Sequence, residues 1–211
     1  MIDTTLVLAK ACLQMLRGNV LFLALALFVL TGTGIAADVY IAEERAVLMV
    51  TSLISFAAQY FVTRRLVGVV GLSRRPNVVV PYFLMSMVSG LAVLIGLIFL
   101  VVPGWWLAAR WTAAGPVLFC ENVGAIDSLG RSINVTRGRV IPIMILLALT
   151  WVPVAVVIPL IISDPAYAIT TSFAANIGVS VTQLLMWCVA VIVYHDADPA
   201  AIGTPASPPV A

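Results

Sequence analysis

The chain has 211 residues, of which 63% are hydrophobic and only 9% are charged, and its formal net charge is +2. A water-soluble globular domain contains about 25% charged residues, so this composition excludes a soluble single-domain enzyme. The small net charge and the dispersed basic residues also exclude a nucleic-acid-binding surface. The composition is that of an integral membrane protein.

Long apolar runs predict an all-α fold, a polytopic transmembrane helical bundle. A bilayer core near 30 Å requires about 20 helical residues per crossing. Five runs meet this requirement, and a sixth is shorter and contains Arg110 and Pro116. The predicted spans are 19–37, 46–63, 81–102, 105–120, 140–163 and 174–194. We expect one transmembrane domain over residues 1–194, followed by a disordered, Pro-rich cytoplasmic tail at 195–211.

Basic residues decide between five and six spans. With six spans, one side of the membrane receives Arg45 alone, and the side of the N-terminus receives Lys10, Arg17, Arg64, Arg65, Arg74, Arg75, Arg131, Arg137 and Arg139. The positive-inside rule therefore favours six spans in a bacterial inner membrane, with both termini cytoplasmic. Cleavage of the first run as a signal peptide is the alternative. The long region before that run favours an uncleaved span.

Residues 3–17, before the first span, have the periodicity of an amphipathic helix. Leu6, Ala9, Leu13 and Leu16 fall on one face, and Lys10 lies on the opposite face. Such a helix is suited to the membrane surface.

A second amphipathic helix is predicted at about 124–137. Its apolar stripe consists of Ile126, Leu129 and Ile133, and Asp127 and Arg131 have the i, i+4 spacing of a surface ion pair. We expect either a connector that lies flat on the membrane or a surface that holds lipid headgroups.

The stretch that starts at Val101 and includes the second amphipathic helix resembles a known family. From Val101 the chain reads V-V-P-G-W-W-L-A-A-R-W-T-A-A-G-P-V-L-F-C-E-N and continues V-G-A-I-D-S-L-G-R-S-I-N-V-T-R-G-R. This stretch resembles bacterial polytopic membrane proteins related to the glycerophosphoryl diester phosphodiesterase membrane domain (YciC-like). The shared pattern is a Pro-Gly turn, a short aromatic span with an Arg, then Pro, an acid and an amphipathic helix. The resemblance implies the membrane domain without the catalytic domain. The family's phosphodiesterase chemistry needs paired histidines and metal-binding carboxylates, and His195 is the only histidine here.

Arg110 is the one ionisable residue well inside a predicted span, which makes it a functional candidate because a buried charge is costly in a bilayer. Its neighbours Trp105, Trp106 and Trp111 suggest an aromatic belt at the outer interface. Arg110 then either snorkels to the headgroups as an anchor or binds a lipid phosphate or a carboxylate.

The basic residues predicted at the cytoplasmic surface are further candidates for contact with membrane lipids, including anionic ones. These candidates are Arg64, Arg65, Arg74, Arg75 and Arg131. Gln59, Asn176 and Gln183 lie in or beside spans, where they either hydrogen-bond helices together, the preferred role, or line a cavity.

The sequence therefore predicts a non-catalytic membrane scaffold or lipid-interacting envelope component, with no cofactor, no metal site and no nucleic-acid partner. A small-molecule or lipid transporter is the alternative, and it requires a polar cavity near the middle of the membrane.

Overall fold

The structure is a computed structural model that describes residues 2–40, 45–72, 74–163 and 169–197. The described residues form helices and turns without a strand, which confirms the predicted all-α class. The helices are α1 (Ile2–Gly18), α2 (Val20–Tyr40), α3 (Arg45–Val69), α4 (Val79–Phe99), α5 (Val101–Trp111), α6 (Ala114–Cys120), α7 (Ala125–Val135), α8 (Val140–Thr150), α9 (Val152–Ser163) and α10 (Ile169–His195). Most of the predicted tail, from residue 198 onwards, lies outside the described residues.

Four stretches are long and apolar enough to cross a membrane, and they fall on four of the six predicted spans. They are Val20–Asp38, Val79–Phe99, Val140–Ser163 and Thr171–His195. This fits a multi-pass membrane protein. The predicted spans at 46–63 and 105–120 correspond to α3 and to α5 with α6, and their crossing of the bilayer remains a prediction.

The turn between α4 and α5 is very short, because Leu100 alone adopts an extended conformation (φ −154°, ψ 104°) between the two helices. The predicted span at 81–102 therefore ends at Phe99. A Cβ atom added at Gly104 would lie 2.4 Å from the Leu97 nitrogen, and one added at Gly96 would lie 2.8 Å from the Gly104 Cα. The two backbones are in direct contact at this turn, as small residues allow in membrane helix packing.

The chain from 101 to 120 returns along α4 as two helices rather than one. Thr112 and Ala113 separate α5 from α6. At the far end of the hairpin, a Cβ atom on Gly115 would lie 3.3 Å from the Tyr82 ring. Because Gly104 lies beside the end of α4 and Gly115 beside its beginning, α5 and α6 together follow α4 over its whole length.

The span at 140–163 is also divided, at Trp151 between α8 and α9. Pro153 explains the division, since its ring clashes with the carbonyl group four residues earlier and it donates no hydrogen bond. Pro159 lies inside α9 without dividing it.

Helix α10 lies at the centre of the bundle. Of its membrane-length window, 56% is buried, against 11% for α4. Cys188 and Val191 of α10 are fully buried, whereas Leu21 and Phe99 are 87% and 79% exposed on the outer helices. Apolar side chains thus cover the outside of the bundle, as expected where the surrounding solvent is lipid.

Helix α1 packs on the bundle through a face that is rotated from the predicted stripe. Leu8, Cys12 and Met15 are buried. In the predicted stripe, Ala9 and Leu16 are partly buried against the core, whereas Leu6 and Leu13 are exposed. The helix is apolar on two faces, so one contacts protein and the other points outward.

Helix α7 reverses the predicted stripe. Ile126 is 63% exposed and Ile133 37% exposed, while Ser128 and Ser132 are completely buried. Only Leu129 of the predicted stripe is buried. The helix turns its hydroxyl groups inward because they meet backbone carbonyl groups there, which an isoleucine could not satisfy.

We predict that Gly104→Ala destabilises the α4–α5 hairpin by about 1–3 kcal/mol, because the new methyl group meets backbone rather than a movable side chain. Thermal unfolding in one detergent, followed by circular dichroism, measures the effect. Gly90→Ala is the control, since nothing lies within 4 Å of its added Cβ. Equal melting temperatures for the two variants would contradict the close approach.

Candidate functional site

The interruption between α5 and α6 organises the region around Arg110. Since α5 ends at Trp111, the Arg110 carbonyl is one of the terminal carbonyls that lack a partner within their own helix. Ser132 Oγ of α7 donates a hydrogen bond to it at 2.8 Å. Thr136 Oγ1 lies 3.3 Å from the same carbonyl and donates to the nearer Ser132 carbonyl at 2.9 Å. Both side chains are fully buried. The Ser132 hydroxyl thus supplies the missing hydrogen bond at the C-terminus of α5.

The Arg110 side chain makes the reciprocal contact. Its Nη1 donates to the Ile133 carbonyl at 3.2 Å, near the C-terminus of α7, and its guanidinium lies 5.0 Å from the Trp106 ring. A cation is favourable at the C-terminus of a helix, and Trp is the best aromatic partner for it. Arg110 therefore contacts α7 and Trp106, rather than a carboxylate of the described chain.

Glu121 is the centre of a small polar cluster just after α6. Arg131 Nε lies 3.0 Å from Glu121 Oε2, and the Tyr194 hydroxyl donates to Glu121 Oε1 at 3.2 Å. The two charged side chains are only 20% and 16% exposed. The predicted surface pair of Arg131 with Asp127 is wrong, because Arg131 bonds Glu121 in a shielded site where the attraction exceeds that of an exposed pair.

Two further contacts hold neighbouring segments to this end of the bundle. Arg75 Nη1 donates to the carbonyls of Glu121 at 3.1 Å and Val123 at 3.4 Å, which ties the connection between α3 and α4 to the end of α6. Arg139 Nη1 lies 2.8 Å from Asp196 Oδ2, which ties the end of α10 to the start of α8. Arg75 and Arg131 thus contact protein groups.

The other three candidate arginines gather at the end of α3. Arg64 Nη1 donates to the Tyr60 hydroxyl at 3.1 Å, and Arg65 is exposed. Arg74 is exposed and lies flat against Gly68, where a Cβ atom would come within 2.6 Å of its Cζ. Within the described part of the chain, none of the three forms an ion pair with an acid.

A cavity of about 650 Å³ lies among α3, α4, the α5–α6 break, α8 and α10. Its described lining includes no aspartate, glutamate, lysine, arginine or histidine. Neutral polar side chains converge on it, among them Ser52, Ser55, Gln59, Ser86, Ser89 and Gln183. The cavity therefore offers hydrogen bonds without charge.

Aromatic side chains close the cavity toward the arginines. The Tyr82 ring, on the cavity wall, lies 5.5 Å from the Tyr60 ring and 5.1 Å from the Phe119 ring. The Tyr82 hydroxyl is 3.4 Å from Thr63 Oγ1. Because Tyr60 also accepts the hydrogen bond of Arg64, this aromatic layer separates the cavity from the arginine-rich end.

The sequence favoured hydrogen bonds between helices as the role of Gln59 and Gln183, and the structure places both on the cavity wall. The available signal was the spacing of Ser52, Ser55 and Gln59, which puts them on one face of α3. Asn176 does form a hydrogen bond between helices, since its Nδ2 donates to Asp38 Oδ2 at 2.7 Å and so joins α10 to α2.

We predict that Glu121 and Arg131 are energetically coupled. A double-mutant cycle with Glu121→Gln and Arg131→Gln, measured by unfolding in one detergent, should give a coupling energy of about 1–3 kcal/mol. The matched cycle of Asp127→Asn with Arg131→Gln should give a value near zero. Stronger coupling to Asp127 than to Glu121 would show that the surface pair forms instead.

Similarity to other proteins gives no family assignment for this chain. No family model matches it, and neither does a curated protein or a solved structure. Its function must therefore be argued from its own residues and their geometry.

Proposed function

We propose that this protein is a non-catalytic, lipid-interacting component of a bacterial inner membrane that crosses the bilayer six times with both termini in the cytoplasm. The observation that carries the lipid contact is the group formed by Arg64, Arg65 and Arg74, which we call the arginine cluster. It lies at one end of the bundle without an acidic partner among the described residues.

The contacts between helix ends support the six-span topology. The ends of α3, α6 and α10 and the start of α8 meet near Glu121 and Asp196, together with most of the arginines. At the opposite end, Asp38 of α2 accepts hydrogen bonds from Ser172 and Asn176 of α10. Successive membrane-length segments thus alternate in direction, and the basic residues collect at one end, as the positive-inside rule requires of a cytoplasmic face.

The charge distribution supports binding of anionic headgroups to the arginine cluster. Each basic residue near an anionic leaflet contributes about 1 kcal/mol of attraction. Arg75, Arg110 and Arg131 donate hydrogen bonds to carbonyl or carboxylate oxygens of the protein. In the arginine cluster, Arg65 and Arg74 are exposed and Arg64 donates to the Tyr60 hydroxyl. The cluster therefore provides exposed guanidinium groups for lipid phosphate, whose geometry they suit.

The motif on which the proposed relation to the YciC-like membrane domains rests packs together in the structure. Gly104 lies at the close α4–α5 contact. The motif residue Ser132 bonds the Arg110 carbonyl, and Arg131 bonds Glu121. The motif positions contact one another and build the architecture, which is consistent with a role in the fold rather than in catalysis.

A transporter of a small molecule or lipid is the second candidate function, and the polar cavity is the observation that favours it. Transport requires access from both sides of the membrane in turn, and the aromatic layer of Tyr60, Tyr82 and Phe119 closes the cavity on the side of the arginines. A transporter would have to open this layer during its cycle.

We predict that replacing Arg64, Arg65 and Arg74 with Gln reduces retention of phosphatidylglycerol or cardiolipin in native mass spectrometry. The total loss of attraction is at most about 3 kcal/mol, at about 1 kcal/mol for each arginine. The matched control replaces Lys10, Arg17 and Arg137 with Gln, which removes the same charge elsewhere on the proposed cytoplasmic face. Equal lipid retention in the two triple variants would contradict a specific role of the arginine cluster.

We predict that topology reporters inserted at positions 42 and 164, both outside the described residues, are periplasmic. Reporters inserted at Pro76 and Asn122 should be cytoplasmic, because they lie beside the arginine-rich end. A cytoplasmic signal at 164 would mean that α5 and α6 together do not cross the membrane.

A further inference from the structure

The lining of the cavity specifies the chemistry of a ligand. Its polar side chains carry hydroxyl and amide groups: Ser52 and Ser55 of α3, Ser86 and Ser89 of α4, and Gln183 of α10. Such groups both donate and accept hydrogen bonds, so an occupant that carries hydroxyl and carbonyl oxygens can bond to them.

The absence of charged side chains from the described lining selects against a charged ligand. A charge placed at this depth without a counter-charge is strongly disfavoured in a membrane. Hydroxyl and amide groups, supplied here by Ser55, Gln59 and Gln183, suit uncharged hydroxyl and carbonyl oxygens. A volume of about 650 Å³ lies within the usual range of roughly 300–1,000 Å³ for small-molecule sites.

The cavity opens sideways between α3 and α4. These helices touch through Phe56, whose ring lies 5.8 Å from the Tyr82 ring and 5.2 Å from the Phe83 ring. Beyond that contact, on the side away from the arginines, Ser52 and Gly90 line the cavity and are also exposed. They mark an opening in the outer wall at membrane depth.

The surroundings of this opening are apolar. Leu53 is 61% exposed beside Ser52, and Met87 is 57% exposed on α4. Acyl chains would find a matching environment outside the opening, while a polar head would find hydrogen bonds inside it.

We propose that the cavity binds the uncharged, hydroxyl- and carbonyl-bearing head of a neutral lipid such as diacylglycerol. The head enters between α3 and α4, and the acyl chains remain in the bilayer. This inference rests on the proposed membrane location of the chain but not on the arginine cluster.

The test measures retention of added dioleoylglycerol by the purified full-length protein in native mass spectrometry, with dioleoylphosphatidylglycerol of the same chain length as the charged comparison. Gly90→Leu should block the opening without a backbone clash, since nothing lies within 4 Å of a Cβ at this position. Gly32→Leu on α2 is the matched control, because its Cβ also meets nothing within 4 Å and it does not line the cavity.

We expect Gly90→Leu to lower dioleoylglycerol retention at least about tenfold. Gly32→Leu should match the wild type, and retention of dioleoylphosphatidylglycerol should be unchanged in both. Equal dioleoylglycerol retention in Gly90→Leu and Gly32→Leu would overturn the proposal. A parallel loss of the charged lipid would overturn the selection for an uncharged head.

The arginine variants separate this proposal from the proposed function. Replacing Arg64, Arg65 and Arg74 should reduce retention of phosphatidylglycerol and leave that of dioleoylglycerol unchanged. If phosphatidylglycerol retention is unaffected, the arginine cluster loses its role while the cavity site stands. If Gly90→Leu leaves dioleoylglycerol retention unchanged while the arginine variant loses phosphatidylglycerol, the cavity site is wrong and the arginine cluster keeps its role.

Discussion

A helix that is interrupted in the interior of a protein must find other partners for the backbone groups freed at the break, because buried groups without hydrogen bonds are costly. The break at Thr112 and Ala113 imposes this constraint here. Ser132 donates a hydrogen bond to the Arg110 carbonyl, and the Arg110 guanidinium donates to the Ile133 carbonyl of α7. A side chain of each helix thus bonds a carbonyl group near the C-terminus of the other, and these bonds hold α7 against the break.

The position of α7 determines the polar cluster beside it. With α7 in place, Arg131 reaches Glu121, and Glu121 in turn accepts the hydrogen bond of Tyr194 from the central helix α10. The break also shapes the cavity, since Trp111, Thr112 and Gly115 all line it. The proposed ligand site and the polar cluster around Glu121 thus both depend on the break between α5 and α6.

Length and hydropathy were sufficient to predict the all-α class and the four long apolar helices, because both follow directly from the thickness of a bilayer. The faces of α1 and α7 could not be predicted in the same way. Periodicity assigns the apolar face to the core only where the outside is water. In α7, Ser132 faces inward because its hydroxyl bonds the Arg110 carbonyl, and Ile126 faces outward.

The candidate sites were predicted less completely than the fold. The sequence identified the arginines, but their partners depend on loop geometry, such as the extended Glu121 (φ −105°, ψ 152°) that turns toward Arg131. The cavity could not be predicted because spacing places Gln59 and Ser86 on helix faces but does not say that the helices part between them. The space between helices depends on the angle and distance at which they cross, which the sequence of one helix does not determine.

The stability contribution of the Ser132 hydroxyl tests the central role of the α5–α6 break most directly. Ser128 is the matched comparison, since it is equally buried on the same face of α7 but bonds the Ala125 carbonyl of its own helix. Ser132→Ala should lower the free energy of unfolding by about 1–3 kcal/mol, because it leaves the Arg110 carbonyl short of a donor, and should speed hydrogen exchange at residues 111–116. Ser128→Ala should change both only slightly. Equal effects of the two substitutions, with exchange at 111–116 unchanged, would contradict the account.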